Sequence, residues 1–242
     1  RLKFPLKLTG GIIIIFLTIF FIIGYLGRIL RNLEYFKIRD IMFKGVDSVD
    51  LSYLNGSNIF TVDLQKESSH ISELYSTYKK IKLIRILPNR LFVDFISRKP
   101  LGIIKLYRYF CVDEDLTLFD LPAGLQESGL PLILGLDIKI FGPKPGKIYN
   151  IRELRLALDI IKELNRNRNF KNYKIKTIDV AKPGMASVFI NEGLEIKLGE
   201  DSIGSKINIL SGLLNQTRKE QGNIKYIDLR FGEPVIKLKD VQ

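Results

Sequence analysis

The stretch LTGGIIIIFLTIFFIIGYL, residues 8–26, decides how the rest of the chain is interpreted. It contains 19 residues and no charged side chain. An α-helix rises about 1.5 Å per residue, so a helix of this length crosses the roughly 30 Å hydrocarbon core of a bilayer. In lipid every backbone N–H and C=O must be satisfied within the segment, and a helix achieves this. The sequence therefore predicts one membrane-spanning helix over residues 8–26.

A cleavable secretion signal is the alternative interpretation of this apolar stretch. The apolar region of a signal is usually about 7–15 residues long and ends at a small-x-small cleavage site. Here the stretch is longer and continues into GYLGR, residues 24–28, which is not such a site. We therefore predict a retained membrane anchor.

The basic residues that flank the anchor indicate its orientation. Arg1, Lys3 and Lys7 precede it, and Arg28 and Arg31 follow it. Positive charge is enriched on the cytoplasmic side of membrane spans, so this small difference favours a cytoplasmic N-terminus. The tail before the anchor is predicted to be cytoplasmic and to continue upstream of this sequence. The rest of the chain would then be periplasmic or extracellular.

The formal net charge of +12 raises the question of nucleic-acid binding. Residues 1–39 hold seven Lys and Arg against Glu34, a net charge of +6, so half of the excess flanks the anchor. The remaining +6 is spread over 203 residues without a basic run, and the aromatic residues do not alternate with it as a base-stacking surface requires. A solvated surface is the preferred interpretation, and attraction to anionic lipid is the next.

The chain holds one cysteine and one histidine, which limits the chemistry available to it. Cys111 cannot form an intrachain disulfide or a CxxC pair, and the apolar run at residues 107–112 predicts a buried thiol. His70 lies in the polar stretch KESSHISE, which predicts a solvated helix surface. A Ser-His-Asp or Cys-His site would have to use this one histidine or this one cysteine, and we predict no catalytic residues.

Three adjacent acids, Asp113, Glu114 and Asp115, do not indicate a metal site. Side chains on a strand alternate between its faces, so neighbouring acids do not converge on one ion. A solvated turn is the preferred interpretation. We predict no metal site and no cofactor.

The pattern after the anchor predicts a small α+β unit. Residues 41–43 alternate like a strand, VDSVDLSYL at residues 46–54 predicts a short helix, and Asp63 is predicted to cap a second helix. The apolar face of that second helix would be Ile71, Leu74, Tyr75 and Tyr78. Strands at residues 82–87 and 91–96 then give the order strand, helix, helix, strand, strand.

Two further helices are predicted in the second half of the chain. Their apolar residues recur at helical spacing: Ile151, Leu154, Leu158 and Ile161 in the first, and Ile203, Ile207, Leu210 and Leu214 in the second. Asn150 and Glu153 have the spacing of a capping box at the start of the first. Each helix is therefore expected to cover one face of a sheet.

The strands of that sheet are predicted from short apolar runs between turn residues. Residues 174–180, 186–190 and 194–198 predict a meander. Residues 224–231 and 234–238 predict two last strands. Alternation places Ile227, Leu229 and Phe231 on one face of the first of these.

The order of these motifs resembles the FtsQ/DivIB family of cell-division proteins. Residues 41–100 resemble a POTRA domain at Ile41-x-Phe43-x-Gly45, Ser57-Asn58-Ile59-Phe60 with Asp63-Leu64, Leu87-Pro88-Asn89-Arg90-Leu91, and Ser97-Arg98-Lys99-Pro100. Later stretches resemble the family's β domain: residues 111–119, Gly129-Leu130-Pro131-Leu132-Ile133-Leu134-Gly135, and YIDLR at residues 226–230. The chain departs from the family at Glu114-Asp115-Leu116, where Asp-x-Gly is usual.

This resemblance covers residues 8–240 in order and implies an α+β fold. The fold would consist of an N-terminal transmembrane helix, a POTRA domain of order β-α-α-β-β, and a mixed β-sheet domain with covering helices. The implied boundaries are a cytoplasmic tail at residues 1–7, the transmembrane helix at 8–26, a juxtamembrane linker at 27–36, the POTRA domain at 37–104 and the β domain at 105–242. The implied function is that of a non-enzymatic, single-pass inner-membrane scaffold of the bacterial divisome at the septum.

The resemblance also implies a docking site on the last strand. An exposed edge strand leaves backbone groups free to pair with an extended peptide. In the family this edge receives FtsB of the FtsB–FtsL pair, while the POTRA domain contacts other divisome membrane proteins. The partner-binding residues implied or placed by strand position are Tyr226, Arg230, Phe231, Val235, Ile236 and Lys237. The alternative is a plain sheet edge that Lys237 and Lys239 protect from pairing.

Two other classes of function are alternatives to the scaffold. A POTRA-bearing translocation or outer-membrane assembly component normally has tandem POTRA repeats or a long barrel of alternating strands. An anchored envelope enzyme needs a nucleophile–base pair, a metal cluster or a phosphate loop, and the sequence contains no such motif. The scaffold is the preferred prediction.

Overall fold

The structure, a computed structural model, describes residues 6–46, 49–122, 129–191, 193–217 and 221–239. Residues 1–5 of the predicted tail, and Asp47 and Ser48 of the first predicted short helix, lie outside the described residues. The chain divides into two compact units. The first unit comprises residues 1–74 and 78–97, and the second unit comprises residues 75–77 and 98–242.

The first unit begins with a long apolar helix, α1, which spans Leu6–Asn32. Its segment Ile14–Asn32 is long and apolar enough to cross a membrane, and none of that segment is buried against protein. Phe20 and Phe21, for example, are each 72% exposed. A helix that is apolar all round needs an apolar environment outside the protein, which is typical of a membrane span. The helix continues six residues past the predicted end at Leu26, to Asn32.

A three-stranded sheet and one helix follow in the first unit. Their bounds are β1 Asp40–Lys44, α2 Leu64–Leu74, β2 Tyr78–Ile86 and β3 Arg90–Ser97. The strand order is β1-β3-β2, with β1 parallel and β2 antiparallel to the central β3. Where a short first helix was predicted, the described residues form a 3-10 turn at Ser52–Leu54. The predicted sequence of strands is therefore present, with a shorter first helical element.

Helix α2 begins as the sequence predicts and ends earlier. The Asp63 carboxylate accepts hydrogen bonds from the backbone N–H groups of Gln65 and Lys66, both at 3.1 Å, which confirms the predicted cap. Ile71 is fully buried, but Leu74 is exposed and Tyr78 already belongs to β2. The predicted apolar face is therefore wrong beyond Ile71, because the helix stops before its next turn.

In the part of the second unit that the structure describes, the strands form a nine-stranded mixed sheet. Its strands are β4 Gly102–Lys105, β5 Tyr109–Val112, β6 Leu118–Asp120, β7 Leu132–Leu134, β8 Ile175–Asp179, β9 Met185–Ile190, β10 Leu194–Gly199, β11 Ile224–Asp228 and β12 Val235–Leu238. Their order across the sheet is β12-β11-β10-β9-β8-β7-β4-β5-β6. The antiparallel pairs β8–β9 and β9–β10 confirm the predicted meander.

Two helices, α3 at Arg152–Arg166 and α4 at Ile203–Gln216, form one core with this sheet. The predicted apolar residues Leu154, Leu158 and Ile161 of α3 are buried. Burial of each such side chain stabilises the fold by about 1.5–3 kcal/mol. The predicted capping box is wrong, because the helix begins at Arg152 with Ile151 in the cap position. Glu153 pairs instead with Lys139 at 2.5 Å.

Gly135 follows β7 at a point where another residue would not fit. Its φ is +83°, and a Cβ atom would lie 2.3 Å from the backbone nitrogen of Ala181. We expect Gly135→Ala to lower the free energy of unfolding by at least about 2 kcal/mol, because both the backbone strain and the clash are unavoidable. Urea unfolding of the full chain in detergent measures this change.

Gly212 provides the matched control for that substitution. It lies on the exposed side of α4, and a Cβ atom there would meet no atom within 4 Å. Gly212→Ala should stabilise the fold by about 1 kcal/mol through helix propensity. Equal effects of the two substitutions would contradict the close approach at Gly135.

Candidate partner-binding edge

Strand β12 forms one end of the nine-stranded sheet. It pairs antiparallel with β11, and Ile236 lies opposite Ile227. Among the described residues no further strand pairs with its other side. An end strand of this kind presents unpaired backbone N–H and C=O groups. The edge is therefore open to an added strand.

The direction of the free backbone groups follows from the pairing of β12. Lys239 donates its backbone N–H to the carbonyl oxygen of Asn223 at 2.7 Å. Because alternate residues of a strand direct these groups to the same side, Ile236 and Leu238 direct theirs to the free edge. Pro234, just before the strand, has no N–H to offer. The free edge therefore offers two N–H and two C=O groups from these two residues.

The side chains around this edge are apolar and exposed. Val235, Ile236 and Leu238 of β12 are 50%, 37% and 57% exposed, and Phe231 in the preceding connection is 65% exposed. Ile236 and Leu238 lie opposite the buried Ile227 and Ile224, so they extend the core face of the sheet to its rim. We call Phe231, Val235, Ile236 and Leu238 the apolar rim. Clustered exposed apolar side chains mark a binding surface more often than a solvated one.

The connection between β11 and β12 is held by a charged pair. The Arg230 guanidinium donates to both carboxylate oxygens of Asp228, with Nη2 to Oδ2 at 2.6 Å and Nε to Oδ1 at 2.9 Å. These hydrogen bonds from Arg230 hold the pKa of Asp228 below its usual range, although burial of the carboxylate acts in the opposite direction. The ring of Phe231 lies 5.3 Å from the same guanidinium. Phe231 is therefore presented beside a fixed arginine.

The face of the sheet opposite the helices carries a cleft of about 280 Å³ next to this connection. Three of its charged side chains, Glu195, Lys197 and Arg230, interact with other groups of the protein. Glu195 accepts a hydrogen bond from the Ser187 hydroxyl at 2.8 Å, and the Lys197 ammonium lies 3.9 Å from the centre of the Tyr226 ring. Arg230 reaches the sulfur of Met185 at 3.0 Å as well as Asp228. These contacts connect β9, β10 and β11 on this face of the sheet.

A family comparison matches the second unit. The model described as "Cell division protein FtsQ/DivIB, C-terminal" covers residues 104–230, just over half of the chain. The chain belongs to the FtsQ/DivIB family. Three curated relatives, each named cell division protein FtsQ, extend the similarity. The relative from Geotalea daltonii is 22% identical over 97% of this chain and 87% of its own length.

The other two relatives differ in how much of their length is matched. The one from Syntrophotalea carbinolica is 22% identical over 88% of this chain and 77% of its own length. The one from Koribacter versatilis is 22% identical over 74% of this chain and 51% of its own length. The chain therefore spans about half of one relative and most of the others, and the matches include the region before the family's C-terminal domain.

All six residues expected at a partner-binding site lie on β11, β12 and their connection. Val235, Ile236 and Lys237 are on β12, and Lys237 lies opposite Tyr226. The prediction that Phe231 shares the inner face with Ile227 is wrong, because β11 ends at Asp228 and its alternation ends there. Sequence reasoning missed Leu238, although its two-residue spacing from Ile236 was a usable signal.

Asp113 of the acidic turn and Cys111 both lie in the interior of the second unit. The solvated turn predicted at the three acids is wrong for Asp113, which is 2% exposed and pairs with Arg98 at 2.6 Å. Cys111 is buried as predicted, and burial raises the pKa of its thiol to about 12. Within the described ranges no group of three or more acidic, His or Cys residues could hold a metal ion.

Proposed function

We propose that this chain is a non-enzymatic, bitopic membrane scaffold of the bacterial divisome. It binds the FtsB–FtsL pair through β12, links early and late division proteins, and helps to control septal peptidoglycan synthesis. The observation that carries this proposal is the open, apolar edge at the end of the second unit's sheet. The FtsQ/DivIB family supplies the division context.

Helix α1 supports the membrane part of this proposal. The helix would cross the inner membrane once, with the N-terminus in the cytoplasm, and the remainder of the first unit and the second unit would lie in the periplasm or outside the cell at the septum. The first unit, with three strands, a 3-10 turn and α2, would act as the POTRA domain. It would contact other divisome membrane proteins close to the bilayer. Family membership favours this function over the alternative of a POTRA-bearing translocation or outer-membrane assembly component.

The size of the free edge sets how the partner must bind. Four backbone hydrogen bonds, at a net value of about 0.5–1.5 kcal/mol each, contribute about 2–6 kcal/mol. A micromolar complex requires about 8 kcal/mol. Backbone pairing alone is therefore too weak, and the partner must also cover the apolar rim. Phe231, the largest side chain of the rim, is expected to supply much of the difference.

Phe231→Ala should therefore weaken recovery of the FtsB–FtsL pair by about tenfold or more when the chain is purified from membranes, a loss typical of an aromatic hot spot. The measurement is quantitative co-purification with an FtsB-like coiled-coil partner. Phe141 is the matched control, since it is an equally large side chain that is 82% exposed elsewhere in the second unit.

Phe141→Ala should leave recovery within about twofold, because an exposed side chain outside the interface contributes little. Equal losses for both variants, or no loss for Phe231→Ala, would count against docking at the rim. A fluorescent fusion of the unaltered chain should also collect at midcell. Uniform membrane fluorescence in dividing cells would contradict the septal role itself.

A further inference from the structure

The end of the first unit that joins α1 carries a cluster of aromatic side chains. A 3-10 turn at Glu34–Phe36 follows the helix directly. The rings of Tyr35 and Phe36 are 5.3 Å apart edge to face, and those of Phe36 and Phe60 are 5.1 Å apart. Tyr35 is 63% and Phe60 38% exposed, so much of this aromatic surface has no protein covering it.

Hydrogen bonds fix this cluster to the last turns of α1. The side-chain amide of Asn58, itself only 8% exposed, donates to the carbonyl oxygen of Leu30 at 2.9 Å. Its amide oxygen accepts from the backbone N–H of Phe60 at 2.9 Å, and Ile59 N donates to the carbonyl of Phe36 at 2.9 Å. The loop that carries Phe60 is therefore attached directly to the end of the helix.

The hairpin between β2 and β3 lies at the same end of the first unit. Arg39, three residues after the 3-10 turn, donates its backbone N–H to the carbonyl of Asn89 in the hairpin at 3.0 Å. Arg85 reaches from β2 to the carbonyl of Ile59 at 2.6 Å. Leu87, at the tip of the hairpin, is 58% exposed. A second exposed apolar side chain is thus held near the aromatic cluster.

We propose that this end of the first unit lies in the headgroup region of the bilayer and binds an anionic phospholipid surface. We call Tyr35, Phe36, Phe60 and Leu87 the collar. The proposal rests on the membrane crossing of α1 proposed above, and it adds that the part of the first unit after α1 contacts the membrane surface.

The position of the collar along the chain supports this placement. The last turns of α1 carry Arg28 and Arg31, and the helix ends at Asn32, so the hydrocarbon core ends within these turns. The collar begins at Tyr35, three residues after the end of the helix. Tyrosine and other aromatic side chains favour this boundary because one part of the ring is buried in lipid while the rest meets water and headgroups.

Charge supports the same lipid. Arg28 and Arg31 on the last turns of α1, and Arg39 just beyond, are exposed at this level of the chain. Basic residues at the membrane surface are attracted to anionic headgroups. Glu34 is paired with Lys37, which leaves these arginines as the dominant charges beside the collar. The apolar collar beside exposed arginines is therefore complementary to a bilayer surface, where an apolar layer lies next to phosphate groups.

The absence of tryptophan from the sequence allows a direct test. Four single-tryptophan variants of the full chain, Tyr35→Trp, Phe60→Trp, Phe43→Trp and Phe20→Trp, are reconstituted separately into phosphatidylglycerol vesicles. The vesicles contain lipids brominated either near the headgroup or near the chain end. Phe43 is the control within the first unit, because its side chain is also exposed, at 39%. It lies three residues along β1 from Asp40, which places it about 10 Å farther from the collar than Asp40 is.

Indoles at positions 35 and 60 should be quenched by the shallow bromines at least about twofold more than the indole at position 43, as expected for side chains in the interface. The indole at position 20 should be quenched most by the deep bromines. If the indole at position 20 is quenched, but the indoles at positions 35 and 60 are quenched no more than the indole at position 43, the collar proposal alone is overturned. No quenching at position 20 would overturn the membrane crossing and the collar with it.

Discussion

Ile236→Pro is expected to abolish recovery of the FtsB-like partner while leaving the second unit folded. The N–H of Ile236 points away from β11 to the free edge, so proline removes no hydrogen bond within the protein. Its ring projects toward the incoming strand and prevents the neighbouring hydrogen bonds from forming. Loss of a ladder worth about 2–6 kcal/mol corresponds to a loss of affinity well above tenfold.

Two measurements separate this effect from loss of the side chain or of the fold. Ile236→Thr keeps the N–H and a β-branched side chain suited to a strand, and it should retain most of the binding. Urea unfolding of the second unit should be nearly the same for Ile236→Pro and the unaltered chain, because β12 is an exposed end strand. Undiminished partner recovery by a folded Ile236→Pro variant would show that the partner does not use the backbone edge.

Local patterns account for most of what the sequence predicted correctly. The apolar run of α1, the stripe of Leu154, Leu158 and Ile161, and the meander β8–β9–β10 all depend on residue spacing within one or two elements. Hydrophobic spacing is the strongest structural signal in a single sequence. The candidate edge depended instead on the resemblance to the FtsQ/DivIB family, which implied Arg230, Phe231 and the last strand, while strand position added Tyr226, Val235 and Ile236.

Pairings between distant parts of the chain could not be predicted from these patterns. In the sheet, β7 lies between β4 and β8 and is parallel to both. No periodicity within β7 specifies either neighbour. The capping box failed for a similar reason, because Glu153 pairs with Lys139 rather than turning back to the start of its helix.

Asp113 shows the same limit at a single residue. Its acidic neighbours suggest a solvated turn, but its carboxylate is 2% exposed and pairs with Arg98. It also organises the turn where the family usually has Asp-x-Gly. Its Oδ1 accepts from the backbone N–H groups of Asp115 and Thr117, both at 3.0 Å, while Leu116 adopts a φ of +62°. These hydrogen bonds allow a leucine to occupy a conformation that usually favours glycine.

Asp113→Ala is accordingly expected to lower the free energy of unfolding by about 3–5 kcal/mol, because Arg98 would be left without its carboxylate partner in a buried position. The backbone N–H of the buried Thr117 would also lose its acceptor. Domains are stable by only about 5–15 kcal/mol, so the loss should shift the urea midpoint strongly. Asp113→Asn, which keeps a side-chain oxygen for the turn but loses the charge, should give an intermediate effect.

Glu163 provides the control, because it forms the same kind of carboxylate–arginine pair as Asp113 but is more exposed to solvent. It pairs with Arg166 at 2.8 Å, close to the 2.6 Å of the Arg98–Asp113 pair, but its side chain is 34% exposed and that of Arg166 75%. Water screens such a pair, so Glu163→Ala should change the free energy of unfolding by less than about 1 kcal/mol. If the two alanine variants unfolded at the same urea concentration, burial would not explain the contribution of Asp113 to the free energy of unfolding. A large difference would show that the acid at the family's turn is a structural centre of the second unit.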